Sequence, residues 1–160
     1  YHPETRVMDL HHGFEPIECS SALCLETLEH LLEPEDTLQS LYQSISESGR
    51  LVVSLPNECT IFHRFRCLFG TVDAECFSSQ SKHLHLPSLR QCRLFLQKNF
   101  EIENQLFYIS PSGCEGRQQW VGKILSLLPD KLHQLMADLF PSLFARGFIF
   151  LLNKKPVLTS

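Results

Sequence analysis

Residues 20–57 read SSALCLETLEHLLEPEDTLQSLYQSISESGRLVVSLPN, and the order of elements in this stretch sets the fold. It opens with Ala22, Leu23, Cys24 and Leu25. This apolar run is too brief for a helix and is flanked by polar residues, which predicts a strand buried on both faces. Three ionisable residues follow at once: Glu26, Glu29 and His30. Polar groups directly after a buried strand stand where open α/β sheets bind their ligands. Their separations of three and four residues put all three on one side if the turn is helical. Pro34 then sets φ for a helix start, Glu35 and Asp36 fill the first turn where the macrodipole favours negative charge, and Leu38, Leu41, Tyr42 and Ile45 form an apolar stripe. Gly49 is expected to end this helix. Arg50 to Leu55 reads as a second buried strand, closed by Pro56 and Asn57.

Upstream, Arg6, Val7 and Met8 read as the tail of an extended segment ending at Asp9, an acid that in such a place is ordinarily a turn or cap residue. His11, His12 and Gly13 follow as loop. Downstream, Cys59 to Gly70 carries Ile61, Phe62, Phe65, Leu68 and Phe69 at helical spacing, with His63, Arg64 and Arg66 on other faces. This predicts an amphipathic helix ending at Gly70. It would either roof a pocket or pack on the sheet. Thr71 to Lys82 is polar without periodicity and reads as a loop, and His83 and His85 alternate with Leu84 and Leu86 as in extended chain. Ser88-Leu89-Arg90-Gln91 is a capping box; Leu89, Cys92, Leu94, Phe95 and Leu96 are expected to face the sheet. Phe100 to Ile109 predicts a strand, 118–128 and 131–140 two amphipathic helices split by Pro129, and Gly147 to Leu152 a closing strand.

The chain has 160 residues, 43% of them apolar, which suffices for one domain with a core. A net charge of −4 argues against a general nucleic-acid binder, since such proteins carry a basic excess. Seven cysteines, scattered without paired spacing, argue against a disulfide framework or structural zinc and for a reducing, cytoplasmic setting. No apolar run reaches membrane-spanning length. No Gly-x-Ser-x-Gly elbow is present, so hydrolase chemistry has no local support.

The segments LCLETLEHL, ESGRLVVSLPN and HLHLPSLRQCRLFLQKNFEIE, with the Pro34 helix between the first two, resemble the C-terminal half of class I S-adenosylmethionine-dependent methyltransferases. The resemblance runs from about Met8 to Lys155. It implies an α/β fold: a partial Rossmann-like methyltransferase sheet with a helical insertion before the last, antiparallel strand. Residues 20–57 would be the core strand–helix–strand, 58–87 a lid-like insertion and 88–160 the C-terminal strands and helices of a single partial domain. The glycine-rich loop of the family has no counterpart, since no Gly-x-Gly-x-Gly occurs. The chain begins at Tyr1 in what resembles a domain interior, and reads as a fragment that alone should bind the cofactor poorly and do no chemistry.

By the same resemblance Asp9, Leu10, Leu25, Glu26 and His30 border S-adenosylmethionine, with Asp9 at the adenine and Glu26 and His30 at the methionine end. Asn57, His63, Arg64 and His83 would line the acceptor side, for a small-molecule or lipid-like acceptor. Methyl transfer needs alignment more than acid or base, so no catalytic residue is implied. Most of the family works without metal. One branch, the small-RNA 2′-hydroxyl methyltransferases, holds a divalent cation on E-x-x-E-H and a later His, which Glu26, Glu29, His30 and His83 would match. A non-catalytic interaction module of the same fold is the alternative of a different class.

Overall fold

The computed structural model describes residues 7–70, 84–109 and 129–155. Strand β1 (Cys19–Leu25) leads through a 3₁₀ turn at Leu28–His30 into helix α1 (Pro34–Ser44) and strand β2 (Ile45–Pro56). Helices α2 (Ile61–Leu68) and α3 (Leu89–Leu96), strand β3 (Phe100–Tyr108), helix α4 (Asp130–Leu139), short helix α5 (Pro141–Phe144) and strand β4 (Gly147–Lys154) follow among the described residues. The strands form one sheet in the order β1-β2-β4-β3. β1 and β2 are parallel, joined by the crossover helix that parallel pairing requires, and β4 enters antiparallel between β2 and β3.

The register assigns the two faces of the sheet. Leu51, Val53 and Leu55 of β2 stand opposite Leu152, Phe150 and Phe148 of β4. With Leu38 and Leu41 of α1 and Leu89, Cys92 and Leu96 of α3 they form one buried cluster. Alternation sends the intervening residues to the other side. There Leu23 pairs with Val52, Val52 with Leu151, and Leu106 with Ile149, and Leu23 is 71% exposed. Among the described residues this second face is open. β1 is therefore not buried on both faces as its sequence suggested; only the face bearing Cys24 is covered, and Leu25 is 51% exposed.

Two further expectations are corrected. α1 ends at Ser44 and not at Gly49: Ile45 turns to φ −81°, ψ 133° while its N–H still reaches the Leu41 carbonyl, and it starts β2. β-branched Ile45 suits both a helical stripe and a strand, so periodicity alone misplaced it. Gly49 instead lies inside β2, where an added Cβ would sit 2.7 Å from the Ser20 carbonyl oxygen. In α3, Leu94 is exposed and does not face the sheet, whereas Leu89, Cys92 and Leu96 do. The region expected to form a helix at 118–128, the loop at 71–82 and His83 lie outside the described residues.

Candidate functional site

Parallel pairing of β1 with β2, and of β3 antiparallel to β4, brings the ends of β1, β2 and β3 and the start of β4 to one edge of the sheet. Glu26 follows β1 there. Its backbone is in the left-handed region, φ 47°, the only non-glycine among the described residues with positive φ. For glutamate that conformation costs roughly 1–2 kcal/mol and persists only where neighbours hold it. β2 provides the hold: the Glu26 N–H donates to the Ser54 hydroxyl at 2.9 Å and to the Ser54 carbonyl at 3.3 Å. The Ser54 hydroxyl in turn donates to Glu26 Oε1 at 2.9 Å.

The same carboxylate oxygen accepts from the Tyr108 hydroxyl at 3.2 Å. Tyr108 is the last residue of β3, and its ring passes over Gly147 at the start of β4; a Cβ at Gly147 would collide with the phenol. Glycine is required here by that close approach. Burial pushes the Tyr108 phenol up to about 12, and the Glu26 charge and hydrogen bond add to it, while Arg146 acts in the opposite sense. Ser54, Tyr108 and Gly147 were expected in strands but not as site residues. The signal was present in one case: Ser54 interrupts the apolar run Leu51-Val52-Val53-Ser54-Leu55 near its end.

Glu26, Glu29 and His30 do not share one side. The turn is helical only over Leu28–His30, which leaves Glu26 outside it and exposed while Glu29 is buried, with Glu29 Oε1 3.7 Å from His30 Nε2. The Glu29 backbone carbonyl accepts from the N–H groups of Leu84 (2.8 Å) and His85 (3.1 Å), and His85 Nε2 donates to the Leu31 carbonyl at 2.9 Å. That segment, the turn and the first turns of α1 and α3 enclose a cavity of about 670 Å³, lined by Leu28, Glu29, Leu32, Leu55, Leu84 and Phe95 among others. Among the described residues no three His, Cys, Asp or Glu side chains converge to hold a metal. His83, the fourth member of the matching ligand set, lies outside them.

The remaining site residues separate in the same way. No strand forms at 7–9, and Asp9 Oδ1 accepts from the His11 N–H at 2.9 Å, the local turn bond of an Asx residue. The Leu10 carbonyl accepts from Thr37 Oγ1 at 2.6 Å, and Phe14 and Ile17 donate to Ser40 and Ser44, so 10–17 runs along α1. Asn57 is buried and engaged inside the protein: Nδ2 donates to the Ala145 carbonyl at 2.7 Å, with the Pro141 and Ser142 carbonyls at 3.3 and 3.4 Å, and Oδ1 accepts from the Cys59 N–H at 3.0 Å. It ties α5 to the end of β2. In α2, capped by Thr60, Arg64 Nε donates to the Cys59 carbonyl at 2.8 Å, and the side chain of His63 is half-buried. The stripe Phe65, Leu68 and Phe69 is exposed, with the two rings stacked at 6.4 Å.

No family model matches this chain, and no curated protein matches it. Solved structures do resemble it. A SAM-dependent methyltransferase of Thermotoga maritima, described as a possible histamine N-methyltransferase, superposes with a TM-score of 0.52 at 14% identity, covering 88% of this chain and 58% of its own. A SAM-dependent methyltransferase of Archaeoglobus fulgidus gives 0.52 at 12% identity, covering 87% of this chain and 61% of its own. Loganic acid methyltransferase, solved with SAH, gives 0.52 at 11%, covering 92% and 64%. The likeness is one of fold: the chain forms a partial Rossmann-like sheet similar to that of class I S-adenosylmethionine-dependent methyltransferases. More particularly, the chain spans about three fifths of the length of these neighbours.

Proposed function

We propose that this chain is the C-terminal part of an S-adenosylmethionine-dependent methyltransferase of the cytoplasm, acting on a small-molecule or lipid-like acceptor. The observation that carries the reading is that this chain, with its sheet order β1-β2-β4-β3, superposes on these neighbours over 88% and 92% of its length at 14% and 11% identity. The names of two neighbours, a possible histamine N-methyltransferase and a loganic acid methyltransferase, support a small-molecule acceptor. S-adenosylmethionine, when bound, supplies an activated methyl group on a sulfonium, and the protein's task is alignment. On this reading Leu25, Glu26 and His30 at the carboxyl end of β1 border the methionine end, which the exposed, rigidly held Glu26 carboxylate suits chemically. Asp9 and Leu10 fit the adenine end less well, since both make local bonds with α1 or its approach. On the same reading His63, Arg64 and His83 are the acceptor-side residues, and Asn57 contributes by tying α5 to the end of β2.

The second reading is a non-catalytic interaction module of the same fold. Calorimetric titration of the complete protein that carries this chain decides between them. Micromolar affinity for S-adenosylmethionine with methyl transfer to an extract of small molecules supports the enzyme. A folded protein with no affinity supports the module. Retention of transfer under a chelator removes the metal-dependent RNA alternative, in which Glu26, Glu29, His30 and His83 hold the cation.

A further inference from the structure

We infer that Glu26 Oε2 is an ammonium-binding position, and that Ser54 and Tyr108 are the positioning residues that aim it. The carboxylate is asymmetric. Oε1 receives two hydroxyl donors, Ser54 at 2.9 Å and Tyr108 at 3.2 Å, which come from different strands. Glu26 itself is exposed at the carboxyl edge of the sheet, where a ligand can reach its carboxylate. A carboxylate fixed through one oxygen presents the other in a set direction, and the partner it accepts best is a charged N–H donor.

Three independent features pay into this one orientation. The Glu26 backbone sits at φ 47°, a strained state for its residue type, and Ser54 holds it through both backbone and side chain. Tyr108 can reach Glu26 only because position 147 is glycine. Backbone strain, a side chain spanning two strands and a glycine required for its passage are more than an exposed surface glutamate needs. At the Tyr108 phenol the negative charge of Glu26 outweighs the opposing charge of Arg146, and Glu29 adds a smaller negative contribution. A single carboxylate oxygen does not make a metal site, and no convergent ligand set surrounds it among the described residues.

The inference rests on the reading of this edge as the methyl-transfer site, where two molecules could bring the ammonium: the amino-acid end of the cofactor, or an amine acceptor. The test is calorimetry on the complete protein, wild type against Glu26→Gln and Tyr108→Phe, with three probes: S-adenosylhomocysteine, its analogue lacking the amino group, and 2-phenylethylamine. Tyr108→Phe keeps the ring over Gly147 and removes only the hydroxyl, so its melting temperature should stay close to wild type. Loss of affinity for an amino-bearing probe by at least about tenfold in Glu26→Gln, and by about threefold to tenfold in Tyr108→Phe, is expected for a charge-assisted bond and for its positioning bond.

If S-adenosylhomocysteine weakens and its deaminated analogue does not, the ammonium is the cofactor's; if only 2-phenylethylamine weakens, it is the acceptor's. Wild type and both variants binding every probe alike overturns the inference and leaves the methyltransferase reading standing. Equal weakening of S-adenosylhomocysteine and its deaminated analogue also overturns it. Binding of 2-phenylethylamine that Glu26→Gln abolishes, in a protein with no affinity for S-adenosylhomocysteine, keeps the ammonium site and overturns the methyltransferase. A wild type that binds none of the probes overturns both.

Discussion

Tyr108 gives the most direct readout of the Glu26 arrangement, because its phenol reports the carboxylate beside it. With the folded value near 12 against an ordinary 10, the folded protein holds the phenolic proton more tightly than the unfolded chain does. The sign follows: this stabilisation is complete below pH 10 and is lost as pH rises from 10 through 12. Phenolate absorbance should show one tyrosine titrating late in wild type. In Glu26→Gln its midpoint should move toward 10 while remaining above it, since burial is the larger cause. A midpoint unmoved by the substitution would mean the hydroxyl and carboxylate do not meet. This pair was not legible in the sequence: Glu26 stood out there by its place after an apolar run, but Tyr108 lies 82 residues away and only strand order brings it near. Glu29 was misread for a related reason, since helical spacing places it beside Glu26 while the left-handed turn at Glu26 rotates it into the interior.

Helix α3 shows what the sequence specifies well at the scale of an element. Ser88 Oγ accepts from the Gln91 N–H at 3.4 Å, and Gln91 Oε1 accepts from the Ser88 N–H at 2.9 Å, the reciprocal bonds of a capping box. Ser88→Ala should cost about 1 kcal/mol of unfolding free energy, measured by chemical denaturation, with Ser88→Thr near wild type. A change below about 0.3 kcal/mol would show the cap to be idle. Capping and periodicity are local, so α1, α3, β2 and β4 could be read from their own residues. What local reading missed is supplied by neighbours. Ile45 became strand because Cys19 pairs with it, and Gly49 is glycine because the Ser20 carbonyl approaches it, neither of which leaves a trace within the segment itself. Likewise the apolar stripe of α2 was legible, but not that it would stand exposed.

At the scale of the whole molecule the sheet has one packed face and one open face among the described residues, and the fold class was legible because strand–helix–strand followed by an antiparallel pair admits few arrangements. The position of β4 has a kinetic side. Among the described residues β3 pairs only with β4, and β4 follows it along the chain, so a nascent chain can close the β1–α1–β2 unit early while β3 waits. During synthesis β3 is therefore a strand without a partner, until Gly147–Lys154 leaves the ribosome and stitches it to β2. A chain stopped after Arg146 should lose protection of the β3 amides from hydrogen exchange completely while β1 and β2 keep part of theirs. Uniform loss across all the strands would mean that the sheet forms only as a whole, with its final strand as the condition for every other.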